Sequence, residues 1–279
     1  MPTGFIGLGH LGKAIAGRLI DCGVELVVYN RTAAKAEGLN AKRADNIDDM
    51  LRSCDTVFVC LFDSRAVAGM LPQMLALNPQ GRLIIDLTTN HHRQVLDFHC
   101  MCADAGAAYL EAPVLGSVIP ASRGELTILV SGEQREFERA KKLLEMIGKT
   151  IHFLGDAGSA TKMKLINNLL LGSFMAAIAE AISLGERAGI ARKQVIDILS
   201  AGAGNSGVFS AKKEKLLNDD FAPQFSAALI YKDLGYLLEL AADLKYDAQL
   251  AQTTRQLYER TTRDNPHGRD FSVIFEYLK

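Results

Sequence analysis

A field of one sign is missing from this chain of 279 residues, in which Lys and Arg total 31 against 32 Asp and Glu. No net potential draws the whole protein to nucleic acid or to an anionic membrane surface, so neither partner is expected. Paired cysteines are missing too. The five present (Cys22, Cys54, Cys60, Cys100 and Cys102) are odd in number, dispersed and without a Cys-x-x-Cys spacing; that argues against a disulfide framework and fits a reducing cytoplasm. No basic-then-apolar leader precedes the first strand, which opens near residue 3, and no signal peptide is expected. The most apolar stretch, 165–184, is interrupted by Asn167, Asn168, Glu180 and two serines, which disfavours a membrane span. His91-His92, His99-Cys100 and Cys102 resemble a metal cluster only superficially: they fall within one expected helix without ligand pairs at zinc-site spacing, and no metal is expected. Internal repeats, low-complexity tracts and long charge blocks are absent as well.

What is present is a chain with 48% hydrophobic residues, enough for two ordinary cores, and two domains are expected. From Thr3 to about Leu154, short β-rich runs alternate with amphipathic helical stretches. The strand candidates are 3–7, 25–29, 56–61, 82–87, 108–113, 126–131 and 150–155. Such alternation predicts an α/β domain with a mostly parallel sheet covered by helices. Several of these strands are near-continuous apolar runs, as a sheet covered on both faces requires. Past Gly158 the pattern becomes helical, with segments at 159–190, 192–201, 206–218, 225–244, 248–262 and 271–278. Gly155-Asp156-Ala157-Gly158 supplies the break. The expected division is therefore a Rossmann domain at 1–157, followed by an all-α domain at 158–279.

The first strand runs directly into Gly7-Leu8-Gly9-His10-Leu11-Gly12, which opens the helix expected over 10–22. A lone G-x-G-x-x-G says little; between a strand and a helix it reads as a dinucleotide-binding turn. Gly7 permits the tight turn, Gly9 lets backbone approach a pyrophosphate, and Gly12 lets helix and strand pack closely. At the end of the second strand the acid that would take the ribose hydroxyls of NAD is also missing. Asn30-Arg31-Thr32 stands there instead. Arg31 can pair with a 2′-phosphate and its neighbours add neutral hydrogen-bonding groups, so NADP is the expected cofactor, with NAD the lesser alternative.

Five further features complete a pattern: Asp86-Leu87-Thr88-Thr89, Glu111-Ala112-Pro113-Val114-Leu115-Gly116-Ser117, Gly124-Glu125-Leu126, the run from Gly158 to Asn168, and Lys232-Asp233-Leu234. With the glycine turn, they make essentially the whole chain resemble the β-hydroxyacid dehydrogenases, relatives of 3-hydroxyisobutyrate dehydrogenase, glyoxylate and succinic semialdehyde reductases, and 6-phosphogluconate dehydrogenase. Lys164 and Asn168 are i and i+4 and project from one helix face, where a cation and an amide can grip a carbonyl oxygen. The resemblance makes Lys164 the catalytic lysine; Lys162, roughly 200° around the helix, points elsewhere. Hydride transfer from NADPH to an aldehyde or keto carbon is expected, with Lys164 protonating or stabilising the forming alkoxide and Asn168 orienting the substrate. The resemblance also places Lys232 and Asp233 beside the nicotinamide, with Lys232 a cationic neighbour of Lys164, and puts Thr89 on the nicotinamide side. Leu61, Phe62 and Asp63, ending the preceding strand, are expected under the dinucleotide.

In the substrate loop the chain departs from its relatives. Their usual Ser-Gly-Gly reads Leu115-Gly116-Ser117 here, and Pro120 stands where a small residue is usual. A hydroxyl is lost at 115 and one is regained at 117, while the backbone N–H groups of Gly116 and Ser117 can still bind an acid. Arg123 is a candidate anchor for a distal carboxylate, against the reading of a solvated loop arginine. The expected substrate is a small carboxylate such as glyoxylate or succinic semialdehyde. Two rivals stand beside this reading: an imine reductase on the same scaffold, which commonly carries Asp or Tyr in place of Lys164, and a noncatalytic NADP-binding interaction module. Apolar residues surround the helix at 159–189, so packing across subunits in a homodimer or homotetramer is expected. With cofactor and catalytic lysine on different domains, catalysis is expected to need interdomain closure.

Overall fold

The computed structural model describes residues 1–263 and 267–279. They form two compact units, Met1–Lys164 and Leu165–Lys279. The first runs β1 (Thr3–Ile6), α1 (His10–Asp21), β2 (Leu26–Tyr29), β3 (Lys42–Arg43), α2 (Ile47–Leu51), β4 (Thr56–Val59), α3 (Ser64–Ala76), β5 (Leu83–Asp86), α4 (Gln94–Asp104) and β6 (Ala108–Glu111). These six strands make one parallel sheet in the order β3-β2-β1-β4-β5-β6. The chain winds outward from β1 through β2 to β3, then returns to lay β4 on the other side of β1. Ligands bind in such sheets beyond the carboxyl ends of the strands flanking that reversal.

Side-chain alternation explains why these strands read as unbroken apolar runs. Phe5, Val28, Phe58, Ile85 and Leu110 face one core, with Ile15 and Leu19 of α1. Their neighbours Ile6, Val27, Val57, Ile84 and Tyr109 face the other, with Met50, Val67, Leu71 and Phe98. Each strand thus sends alternate residues into two separate cores, and both sets must be apolar.

The unit continues with β7 (Val114–Leu115), α5 (Val118–Arg123), β8 (Leu126–Val130), α6 (Gln134–Ile147) and β9 (Gly148–Phe153). The last two expected strands do not extend the parallel sheet. They form a separate sheet ordered β7-β8-β9, with β7 antiparallel and β9 parallel to β8. The two-residue strands β3 and β7 escape sequence reasoning because neither is long enough to show a period; β3 is an exposed Lys-Arg pair held by backbone pairing to β2 alone.

α7 (Ser159–Arg187) starts within the first unit and continues through the second. By length and composition it is the one helix among the described residues apolar enough to cross a bilayer. Leu165, Met175, Ala179 and Ile182 are nevertheless buried in the helical core. That core is completed by α8 (Arg192–Ala201), α9 (Gly207–Leu217), α10 (Ala227–Asp243), α11 (Gln249–Glu259) and α12 (Ile274–Leu278). Expected segments 248–262 and 271–278 each contain a short 3-10 turn, at Arg260–Thr262 and Phe271–Val273. The approach to α10 is pinned by buried Asp270, which accepts from Lys212 Nζ at 2.9 Å and from the backbone N–H groups of Gln224 and Phe225. Ser226 then caps α10 by accepting from Leu229.

Candidate active site

The glycine turn is built around three different needs. Gly7 has φ +97°, and a Cβ there would sit 2.1 Å from the Cys60 carbonyl oxygen. At Gly12 a Cβ would sit 2.0 Å from the Gly7 oxygen. Among the described residues nothing within 4 Å would obstruct a Cβ on Gly9, whose backbone is extended. Glycine at 9 is therefore required by nothing the described residues supply, and the space fits an approaching ligand. Gly9 precedes α1, and no side chain caps that helix. Its first-turn N–H groups, with those of His10, Leu11 and Gly12, are therefore suited to the pyrophosphate of a dinucleotide.

Asn30 already has partners within the chain. Its Oδ1 accepts from Leu8 N at 2.9 Å and its Nδ2 donates to the Thr32 oxygen, also at 2.9 Å. Both ends of the amide are occupied in tying β2 to the glycine turn. Arg31 and Thr32 are exposed beyond it, and Arg31 makes no ion pair among the described residues, which leaves its guanidinium for an anion.

At the ends of β4 and β5, Leu61 N donates to Thr88 Oγ1 at 3.0 Å. Asp63 caps α3, its Oδ1 accepting from Ala66 N at 2.8 Å. Phe62 is 39% exposed. Thr89 is half-buried and is not the cap of α4, which starts five residues later. Beneath this turn lies a buried polar cluster that sequence reasoning missed. Asp86 accepts from Thr88 N at 2.8 Å, Asn90 Nδ2 at 2.8 Å and Tyr109 Oη at 2.5 Å. Burial pushes its carboxyl above the usual range, and these hydrogen bonds oppose the rise. Asp86 stood in a motif singled out from the sequence, but its partner Tyr109, 23 residues on, carries no local signal.

In the substrate loop, Gly116 has φ +124° and Ser117 precedes α5 without capping it. The Ser117 hydroxyl makes no hydrogen bond among the described residues. Pro120 falls in the first turn of α5, where its missing N–H has no intrahelical partner to lose. Arg123 is exposed in the last turn of the same helix.

Lys164 is 7% exposed and Asn168 fully buried, one turn apart on α7, whereas Lys162 is exposed. Within the helical unit, Asn168 Nδ2 donates to Asp233 Oδ2 at 2.6 Å. Lys232 Nζ lies 2.9 Å from Asp233 Oδ1 and 4.9 Å above the Tyr236 ring. That ion pair lies off hydrogen-bond geometry, so Oδ1 is buried without a hydrogen-bond donor among the described residues. Asn168 thus reaches Lys232 through a shared carboxylate, and the lysine carries a counter-ion. Asn168 keeps one amide proton beyond the Asp233 bond.

Comparisons with known proteins bear on the family and the fold. The family model described as the NAD binding domain of 6-phosphogluconate dehydrogenase matches residues 2–155. That described as NAD-binding of NADP-dependent 3-hydroxyisobutyrate dehydrogenase matches residues 158–278. Chloroplastic glyoxylate/succinic semialdehyde reductase 2 of Arabidopsis thaliana is 30% identical over 286 residues, covering 100% of this chain and 80% of that protein. Cytokine-like nuclear factor N-PAC of Mus musculus is 32% identical over 276 residues, covering 98% of this chain and 50% of that one, so the chain spans about half the length of N-PAC. Among solved structures, 3-hydroxyisobutyrate dehydrogenase of Salmonella typhimurium superposes with a TM-score of 0.92 at 24% identity, over 99% of both chains. Psf3 in complex with NADP+ and 2-OPP superposes with a TM-score of 0.91 at 28% identity, over 99% of this chain and 100% of that one.

Proposed function

The chain belongs to the β-hydroxyacid dehydrogenase family, matching nicotinamide-binding family models over residues 2–155 and 158–278 and relatives that include a glyoxylate/succinic semialdehyde reductase and a 2-(hydroxymethyl)glutarate dehydrogenase, and from that premise we propose that it is an NADP-dependent reductase of small aldehyde and keto acids such as glyoxylate or succinic semialdehyde. The observation that carries the reading is a buried Lys164 one turn before an Asn168 that Asp233 holds in place. NADPH, when bound, supplies the hydride. Lys164 gives its ammonium proton to the carbonyl oxygen as that oxygen gains charge, and is reprotonated from solvent. The remaining amide proton of Asn168 orients the substrate oxygen. Backbone N–H groups at Gly116 and Ser117, with the Ser117 hydroxyl, receive the substrate carboxylate in place of the hydroxyl lost at Leu115.

Preference for NADP rests on Arg31, exposed and without a carboxylate partner among the described residues, at a position that carries no acid. Arg31→Ala should weaken NADPH binding by about tenfold or more and leave NADH binding nearly unchanged, since a lost charged contact of about 1.4 kcal/mol corresponds to tenfold; equal weakening of both would remove the assignment. Ile166, Leu170 and Phe174 recur every four residues along α7 and are 42–50% exposed. This stripe supports a homodimer or a homotetramer, and light scattering giving a monomer at micromolar concentration would count against both. Five free cysteines support a place in the reducing cytoplasm.

The similarity to N-PAC favours a second reading, a noncatalytic NADP-binding interaction module. One experiment separates the two: following NADPH and NADH absorbance with glyoxylate, succinic semialdehyde, methylmalonate semialdehyde and a cyclic imine. Carbonyl turnover that Lys164→Ala abolishes, with NADPH binding preserved, supports the enzyme. Binding without any turnover supports the module.

A further inference from the structure

A helix begins with four N–H groups that have no partner within it, and a capping side chain next to the start usually takes one of them. α7 begins after Gly158, which has none to offer. All four groups are satisfied from elsewhere in the first unit. Ser159 N donates to the Asp156 oxygen at 3.1 Å. Ala160 N donates to Ser131 Oγ at 2.9 Å. Gly158 N donates to Glu111 Oε1, and Thr161 N to Glu111 Oε2 at 2.9 Å.

Glu111 ends β6, is 1% exposed and lies about fifty positions upstream of its partners. His99 Nε2, on α4, is 3.0 Å from its Oε1. Glu111 and Ser131 are themselves joined by reciprocal backbone hydrogen bonds of 3.0 and 3.1 Å. The two side chains that seize the helix start thus come from one rigid backbone bridge. A carboxylate there also complements the positive end of the helix dipole. Thr161 is three residues before Lys164, on the same face.

We propose that Glu111 is a positioning residue for Lys164: gripping both Gly158 and Thr161, its carboxylate fixes the height and rotation of the first turns of α7 and thereby places the Lys164 ammonium. The proposal rests on the reading of Lys164 as proton donor. Two grips three residues apart matter because one alone would let the helix pivot. A lysine amine reaches far from its helix axis, so a small rotation at the start displaces it by more than 1 Å, a shift that costs about 100-fold in rate.

Glu111→Gln keeps the shape, removes the charge and turns one acceptor into a donor facing an N–H. The expected result is a fall in kcat of about 100-fold, with KM and the NADPH dissociation constant each within about threefold of wild type. Amide exchange should accelerate over 158–164 while the parallel sheet and α8 to α12 keep their protection. Ser131→Ala, which removes one grip of a different kind, should give a smaller fall in kcat with acceleration confined to the same amides. Unchanged kcat in Glu111→Gln, or unchanged exchange over 158–164, overturns the proposal. If Glu111→Gln does not fold, Ser131→Ala decides by the same two readings. A wild type without carbonyl turnover would remove the reading of Lys164, not the grip, which the exchange measurement then decides alone.

Discussion

Asn168→Ala tests how the carboxylate at the centre of the helical unit is held. Asp233 is 1% exposed, and the directed hydrogen bond it receives comes from Asn168 Nδ2 at 2.6 Å, Lys232 being close to the other oxygen but off hydrogen-bond geometry. A hydrogen bond to a charged group contributes about 1.5–3 kcal/mol, and its loss leaves a buried oxygen unsatisfied. The variant should lose stability on that scale. Asp233→Ala removes the same bond and also strips Lys232 of its counter-ion. The double variant should be less damaged than the sum of the two, with a coupling of about 1.5–3 kcal/mol. With no tryptophan in the chain and five of its seven tyrosines (Tyr231, Tyr236, Tyr246, Tyr258 and Tyr277) at 231–277, tyrosine emission in a urea titration reports mainly on this unit. At an m-value of about 2 kcal/mol per molar, a midpoint shift near 1 M is expected for Asn168→Ala. Additivity within about 0.5 kcal/mol would show that the two side chains do not support each other and refute the account.

Two further outcomes follow from the Rossmann unit. Gly9→Ala should leave thermal stability unchanged, because its Cβ meets nothing within 4 Å, yet weaken NADPH by about tenfold or more through the lost close approach; Gly12→Ala, whose Cβ lies 2.0 Å from a backbone oxygen, should cost about 1–3 kcal/mol of stability. Calorimetry and fluorescence titration separate the two effects. For Asp86, burial raises the folded pKa above 3.8. As pH rises above the ordinary carboxylate value, the folded chain keeps a proton that the unfolded chain has lost, so this group's contribution to stability is greatest below about pH 4 and declines as pH rises toward the raised folded value. The stability of wild type relative to Asp86→Asn, followed by urea titration upward from pH 4, should therefore fall, and a rise would reverse the argument.

The parallel strands were legible because each must be apolar on both faces, and the glycine turn because three glycines sit at fixed offsets between a strand and a helix. Separation of Lys164 from Lys162 was legible from helical spacing, and their burial differs accordingly. What could not be read were partnerships across sequence distance. Asn30 carries no mark saying that its amide serves Leu8, nor does Tyr109 announce Asp86. Glu111 stood in a recognised motif, but its bonds to Gly158 and Thr161 depend on β6 and the start of α7 meeting in space. The second sheet was hidden for the same reason: β8 and β9 have ordinary strand patterns, and only pairing decides which sheet they join.

Asn30 couples the choice of residue at the end of β2 to the integrity of the glycine turn. An acid at this position would favour the ribose hydroxyls of NAD, and Asp is the same size as Asn. Its second oxygen, however, would face the Thr32 carbonyl that Nδ2 now serves at 2.9 Å, setting two acceptors against each other. Asn30→Asp, which would supply an acid for the ribose hydroxyls, is thus expected to loosen the very turn that must hold the dinucleotide.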